Sequence, residues 1–407
     1  METIKFIHCA DLHLDSPFVG LNTLPNKIYE QVKESTFRAF SKVVDLAIEF
    51  SVDFVIIAGD LYDGEDRSIR AQLFLKKELE RLEKQGIHAF IVHGNHDHLG
   101  GKWTKVNMPS NTHIFPPKAK MIPFTTKTGG KIHLYGYSYP SKHVYEKIVE
   151  RYEKVDGADY HIGILHGHDS LDNRHYRYAP FQVTDLLDKD FDYWALGHIH
   201  KTRILHENPY IVYPGNIQGR NPKEDGPKGC YVVEMNPYRT SVTFHETNVI
   251  LWDAIELTDE ETFEQFDQLY NRLIRLKERM RRKKKSVILD ISLSKKQLSS
   301  SLIELVESEE LLDLLREGEE KELPFVWVRS LSFSDENSMS IFLNENHEFF
   351  RELNESLHQL DNFERPLAPL FSHRVAKKYI QPFTKEEEME IKGKVQQLFS
   401  RYFSTKG

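Results

Sequence analysis

At 407 residues the chain is long enough for two or three domains. With 40% hydrophobic and 29% charged residues it reads as a globular protein rather than a fibrous, mucin-like or disordered polymer. A formal net charge of -8, from 54 basic against 62 acidic residues, argues against nonspecific coating of nucleic acid, so any contact with phosphates must be local. The longest apolar run, near Phe54–Ala58, is strand length and far short of the roughly 18 residues of a membrane helix, so no membrane association is expected. The opening Met1-Glu-Thr-Ile-Lys-Phe-Ile-His lacks the pattern of a secretory signal, which gives a cytoplasmic expectation. Cys9 and Cys230 are too few for a disulfide framework and read as buried free thiols.

In chain order, short apolar runs alternate with amphipathic stretches, an α/β pattern. Strands are predicted at Ile4–Cys9 and Phe54–Ala58, a helix over Asn26–Phe50, and a second helix over Ser68–Gln85 that stops at Gly86. Further strands are predicted at Ala89–Val92, Ile132–Tyr135, His161–Leu165, Asp192–Leu196, Ile211–Tyr213, Gly229–Glu234 and Ser241–His245, the later ones pairing antiparallel at a sheet edge. Of 20 histidines, 17 lie between His8 and His245. A first domain is therefore placed at 1–250. A smaller α/β module at 251–335 would open with a capping box at Thr258–Glu261, run as a helix to Arg282, and continue with strand Val287–Leu293, helix Leu302–Arg316 and strand Phe325–Phe333. A C-terminal helical segment, 336–407, ends in an amphipathic helix from Thr384 to Tyr402.

Five signals follow predicted strands: Asp11-Leu-His13, Gly59-Asp60, Gly94-Asn95-His96-Asp97, His166 and Gly197-His198-Ile199-His200. Singly each has a plainer reading: a structural turn, an Asx turn, or solvated surface histidines. Together they suit one crevice at the carboxyl ends of strands in an open α/β sheet. Asp-x-His and His-x-His would each turn two side chains to one side, because alternate residues of an extended chain point the same way. Carboxylates, one amide and several imidazoles suit two divalent ions of the manganese, iron or zinc kind, not an all-oxygen magnesium site. No phosphate-binding Gly-x-x-x-x-Gly-Lys loop occurs.

These five blocks, in this order, resemble the calcineurin-like metallophosphoesterases over about residues 1–245. Ala58-Gly-Asp-Leu-Tyr-Asp63, His93-Gly-Asn-His-Asp97 and Tyr213-Pro-Gly-Asn216 are similar to SbcD-type DNA repair nucleases, and Phe6–Phe18 is similar to the YhaO-type branch of that group. The resemblance implies a metallophosphoesterase β-sandwich flanked by helices, followed by a smaller α/β capping domain and C-terminal helices. It implies that Asp11, His13, Asp60 and His200 bind one ion and that Asp60, Asn95, His166 and His198 bind the other, manganese being favoured over iron or zinc. His96 would serve as the acid or orienting group and Asp97 would hold it; Asp63 would orient its neighbours, while His8, His93, His98 and His168 would pack or touch substrate.

The implied reaction is two-metal hydrolysis of DNA phosphodiesters in repair, alongside an SMC-like (SbcC-type) ATPase and in a homodimer. The rival readings are a phosphatase or small-nucleotide phosphodiesterase of the same fold, and a non-catalytic scaffold for the ATPase. Nine Lys or Arg residues between Arg272 and Lys285 against one acid, Glu278, are either a solvated helix end or a contact for the DNA backbone. The helix Thr384–Tyr402 is a candidate for ATPase docking or for packing within its own domain.

Overall fold

The computed structural model describes residues 2–334 except 19–20, 22–23, 65–66, 102, 170–177 and 259–261. The expected helix at Thr384–Tyr402 lies outside them. The chain divides into two units, Met1–Ser332 and Phe333–Gly407, and of the second only Phe333 and Ser334 are described. Among the described residues no helix is long and apolar enough to cross a membrane.

The first half of the described chain contains β1 (Ile4–Cys9), α1 (Asn26–Lys33), α2 (Ser35–Glu49), β2 (Phe54–Ala58), α3 (Ile69–Lys84), β3 (His88–Val92), β4 (Thr112–Ile114), β5 (Lys120–Thr125), β6 (Lys131–Gly136) and β7 (Tyr160–His166). Then come α4 (Val183–Leu187), β8 (Tyr193–Gly197), β9 (Arg203–Glu207), β10 (Tyr210–Tyr213), β11 (Gly229–Asn236) and β12 (Arg239–Glu246). The remainder is β13 (Ile250–Leu257), α5 (Phe266–Arg281), β14 (Ser286–Leu293), α6 (Ser300–Glu307), α7 (Glu310–Arg316) and β15 (Val326–Phe333).

Two six-stranded sheets, ordered β12-β11-β1-β2-β3-β4 and β5-β6-β7-β8-β10-β9, face each other. Their inner strands β1–β3 and β6–β8 run parallel within each sheet, and antiparallel strands close the β12 edge and both edges of the second sheet. Phe6, Phe54 and Phe90 of one sheet meet Ile132, Ile162 and Tyr193 of the other. Phe6 stacks on Phe54 at 4.9 Å and takes Tyr193 edge-on at 5.2 Å. The opposite faces are covered by α2 and α3, through Phe40, Val43, Leu75 and Leu79 on Ile7 and Ile57, and by Tyr152, Phe181 and Leu186 on Trp194. Burial on both faces is why β2 reads as an unbroken apolar run, and β1 and β7 as apolar runs interrupted by Lys5 and His8 and by His161.

The helix expected over Asn26–Phe50 is two helices that break at Glu34. There the Ser35 hydroxyl donates to the Val32 carbonyl at 2.6 Å and competes with the helical ladder. The helix expected over Leu302–Arg316 breaks in the same way: the Ser308 hydroxyl donates to Leu305 O at 3.0 Å, and Glu309 takes φ 65°. The helix expected from Thr258 instead starts after Gln265, whose side chain and that of Gln268 form the capping box.

The three-stranded sheet β13-β14-β15 packs Trp252, Ile288 and Trp327 against Ile28 and Val32 of α1. Much of the basic run at 272–285 is spent holding this region together. Lys277 and Arg281 both reach the buried Glu319 carboxylate, at 2.7 and 2.8 Å, and Glu319 Oε2 also accepts from Val326 N at 2.8 Å. Lys283 pairs with Asp253 and Lys285 with Glu246. Arg275, Arg279, Arg282 and Lys284 remain exposed. Glu319→Ala strands the buried Lys277 charge and is expected to cost about 3–5 kcal/mol in urea unfolding, whereas Arg279→Ala should change stability by less than about 0.5 kcal/mol.

His8, on β1, bridges the sheets: its Nε2 donates to Leu196 O at 3.1 Å, and its Nδ1 accepts from the Tyr193 hydroxyl at 3.0 Å. Burial pushes its pKa down to about 3. The unfolded chain therefore takes up this proton first, so the stabilisation is complete above about pH 6.5 and is lost as pH falls toward 3. Between pH 7 and pH 5 His8 should contribute about 2 kcal/mol of lost stability. His8→Gln should flatten the stability-versus-pH slope by that amount in parallel denaturation series.

Candidate metal centre

The carboxyl ends of β1, β2 and β3 and those of β7 and β8 open on one rim, and the five sequence blocks meet there. Ligand-type atoms of Asp11, His13 and His200 lie within 4.8 Å of one another, as do those of Asp11, Asp60 and His166. Asn95 Oδ1 sits 2.9 Å from His166 Nε2 and 3.2 Å from His198 Nδ1. All seven residues expected to ligate are thus brought together.

The means of convergence differs from the expected one. Asp11, His13, Asp60 and His198 are not extended: their φ values are 51°, 43°, 48° and 103°. Left-handed kinks, which strain non-glycine residues, turn the side chains inward. Backbone bonds hold the kinks: Asp11 N donates to Gly59 O at 3.1 Å, His13 N to Asp60 O at 3.0 Å and Leu14 N to Leu61 O at 2.9 Å. At two points only glycine fits. A Cβ on Gly94 would lie 2.2 Å from Asp60 Oδ1, and one on Gly197 would lie 1.7 Å from Ala58 O.

Donor assignments show what the site can hold. His166 Nδ1 lies 3.0 Å from the Ala58 carbonyl, which can only accept, so that nitrogen carries the proton. The bare Nε2 then faces Asn95 Oδ1 at 2.9 Å and Asp60 Oδ2 at 3.5 Å, both acceptors. His200 Nδ1 donates to Glu224 Oε1 at 2.8 Å, so its Nε2 is bare too, and it points at His13 Nε2 at 3.2 Å. His13 has Asp63 Oδ1 3.3 Å from Nδ1, and that buried nitrogen forms no hydrogen bond. Lone pairs aimed at lone pairs in a buried site fit a bound cation.

Burial and the Arg220 guanidinium push the His13 pKa down to about 4 against the pull of Asp63. Burial opposes ionisation of Asp60, but the imidazoles of His166, His96 and His13 keep its carboxyl below the usual range. Burial raises Asp11, and His200 and His166 partly offset it. The amides of His198 and His96 donate to Asp11 (3.1 Å) and Asp60 (3.0 Å) respectively.

The assignment of Asp97 to His96 is corrected. Asp97 is fully buried and accepts from His93 Nδ1 at 2.8 Å, Gly94 N at 2.8 Å and Leu61 N at 3.1 Å. It pins the loop after β3 from behind. The carboxylate at His96 Nδ1 is Asp63, 3.2 Å away. Burial opposes a charge on His96, but Asp60 and Asp63 outweigh it and raise its pKa to about 9. His8, His93, His98 and His168 are buried, and His8 and His93 are engaged in hydrogen bonds outside the ligand cluster.

Three further residues carry no sequence motif: Glu224 behind His200, Arg220 between Glu224 and Asp63, and Arg67. Arg67 donates to Asp97 O and to His98 O (2.9 Å) with its guanidinium 3.5 Å over the Trp103 ring. Glu224 and Arg220 sit in a Pro- and Gly-rich turn that reads as surface, and only its spacing after Gly215-Asn216 could have drawn attention.

Facing sheets with this donor set at one rim define a metal-dependent phosphoesterase. The chain belongs to the calcineurin-like phosphoesterase family, whose pattern matches residues 4–202. It is 38% identical over 411 residues to the uncharacterised metallophosphoesterase YhaO of Bacillus subtilis, covering 98% of both chains. It is 28% identical over 215 residues to the DNA double-strand break repair protein Mre11 of Sulfurisphaera tokodaii, covering 50% of this chain and 51% of that protein. With the Mre11 protein of Methanococcus maripaludis it shares 30% over 256 residues, 57% of this chain and 63% of that one.

If Asp97 acts by bracing the loop, Asp97→Ala removes the acceptor of three buried N–H groups and should lower unfolding free energy by about 3 kcal/mol or more. Chemical denaturation checks this; a change under about 1 kcal/mol would contradict the bracing role.

Proposed function

We propose that the protein is a dinuclear metal-dependent DNA nuclease of the repair type. The observation that carries the metal reading is the set of bare imidazole nitrogens facing other acceptors around Asp60. Asp11, His13, Asp60 and His200 would hold one ion, and Asp60, Asn95, His166 and His198 the other, manganese being the favoured metal. When bound, such ions supply positive charge to phosphoryl oxygens and lower the pKa of an attacking water.

The chain's own groups do the rest. Asp60, from β2, stands between the two ligand groups and fixes their separation. His96, half-exposed at the rim with its Nδ1 3.2 Å from Asp63 Oδ1, can give a proton to the departing oxygen. Arg67, Asp97 and His93 hold the His96 loop in place from the buried side.

Similarity to proteins named for double-strand break repair supports DNA as substrate, and the exposed Arg275, Arg279, Arg282 and Lys284 supply a local cationic surface on residues 251–335, which we read as a capping module. An SMC-like ATPase engaging residues 336–407, a homodimer and a cytoplasmic setting complete the proposal.

The test incubates metal-depleted protein with labelled single- and double-stranded DNA, a phosphopeptide and a cyclic nucleotide, with and without Mn²⁺. Manganese-dependent DNA cleavage is expected. Turnover of the phosphopeptide or nucleotide with DNA untouched would instead establish the phosphatase or small-nucleotide reading. Asp60→Ala should lose metal binding and activity together. His96→Gln should lower kcat about 10²- to 10⁴-fold with metal affinity retained. Equal residual cleavage by both variants and wild type would place the activity elsewhere.

A further inference from the structure

The geometry points to Arg220 as the positioning residue of the metal centre, a role that rests on the dinuclear reading above: its fork joins the two carboxylates that set the ring orientation of His200, His13 and His96. Arg220 Nη1 lies 3.2 Å from Asp63 Oδ1, and Nη2 lies 3.1 Å from Glu224 Oε1. Its amide donates to Glu224 Oε2 at 2.8 Å. Only 13% of its side chain is exposed.

Each carboxylate is held on its far side. Glu224 Oε2 accepts from Asn216 Nδ2 at 2.7 Å and Oε1 takes His200 Nδ1 at 2.8 Å, while Asp63 Oδ2 accepts from Ser16 Oγ at 2.7 Å and Oδ1 faces His13 and His96. One guanidinium therefore ties together imidazoles that arrive from three strand ends, β1, β3 and β8. Partners behind a ligating imidazole fix its tautomer and its aim. Here Glu224 leaves the Nε2 of His200 bare and facing His13 Nε2 at 3.2 Å.

A planar five-donor fork can span two carboxylates at fixed angles; a lysine can neutralise them but cannot hold both directions. That separates positioning from plain charge balance. If Arg220 only neutralises buried acid, Arg220→Lys restores the site, and any weakening in Arg220→Ala falls on both ions alike. If it positions, both variants weaken chiefly the ion of Asp11, His13 and His200.

Mn²⁺ titration of the metal-depleted full chain by calorimetry reads this, with His200→Ala and His198→Ala marking which binding phase belongs to which side. The expected result for Arg220→Lys and Arg220→Ala is a 10- to 100-fold loss on the His200 side and less than about a threefold change on the His198 side. Histidine ¹⁵N NMR of the metal-free proteins should show His200 leaving the Nδ1–H tautomer. Where Arg220→Ala fails to fold, Glu224→Gln, which keeps the side-chain volume, should give the same one-sided loss. Full rescue by lysine, equal loss on both sides, or unchanged tautomers would overturn the role. Wild-type protein binding fewer than two ions would instead sink the dinuclear assignment, and the metal-free tautomers would still decide the part played by Arg220.

Discussion

The site is organised by an electrostatic conflict built into it: acceptor atoms converge on one another in a buried volume. The conflict follows from groups behind the site. Ala58 O claims the proton of His166 Nδ1 and Glu224 claims that of His200 Nδ1, so the opposite nitrogens arrive bare. Left without a cation, lone pairs facing lone pairs and carboxylates are costly where water cannot intervene. The protein compensates in part with donors it can spare, the amides of His198 and His96 on Asp11 and Asp60, and with the guanidinium of Arg220.

Holding such an arrangement requires a rigid frame, and the sandwich supplies one. The strand ends that carry the proposed ligands are the ones whose side chains fill the inter-sheet core, so the positions of Asp11 and Asp60 are set by Phe6 stacking on Phe54 and by Tyr193 against both His8 and Phe6. Gly197 lets β8 close onto the Ala58 carbonyl, which brings His198 and His200 within reach of residues from the other sheet. Left-handed backbone at four of the proposed ligand positions costs of order 1–3 kcal/mol each, and the frame sustains it through the paired loops after β1 and β2.

What was legible in the sequence follows from this division. The proposed ligands sit directly after short apolar strands, so period and spacing disclosed both the strands and the five blocks. The mechanism of their convergence did not show, because a left-handed kink at Asp11 leaves no trace in residue type. Nor did the identity of outer partners: Asp97 adjoins His96 in sequence yet turns to His93, and Glu224 lies in a turn composed like any surface loop. Helix breaks at Glu34 and Glu309 depended on single serine hydroxyls reaching back to a carbonyl. Edge strands β4 and β9 are half-exposed and lack the apolar alternation that marks a strand, and β5 carries Pro123, tolerated there because it lies at an edge.

The charge balance of the rim bears on how substrate is admitted. Asp11, Asp60, Asp63 and Glu224 gather there with Arg220 and the cationic His96 as counterweight, inside a chain whose net charge is already -8. Of the nine cations in the basic run that could offset this at a distance, Lys277, Arg281, Lys283 and Lys285 are paired with Glu319, Asp253 and Glu246. A phosphodiester approaching the bare rim would meet more negative than positive charge at short range, where screening by salt is weakest. On the proposed dinuclear reading, filling the ligand set would reverse this balance, so that the same donors that create the acceptor conflict would also govern when the rim can receive a phosphate.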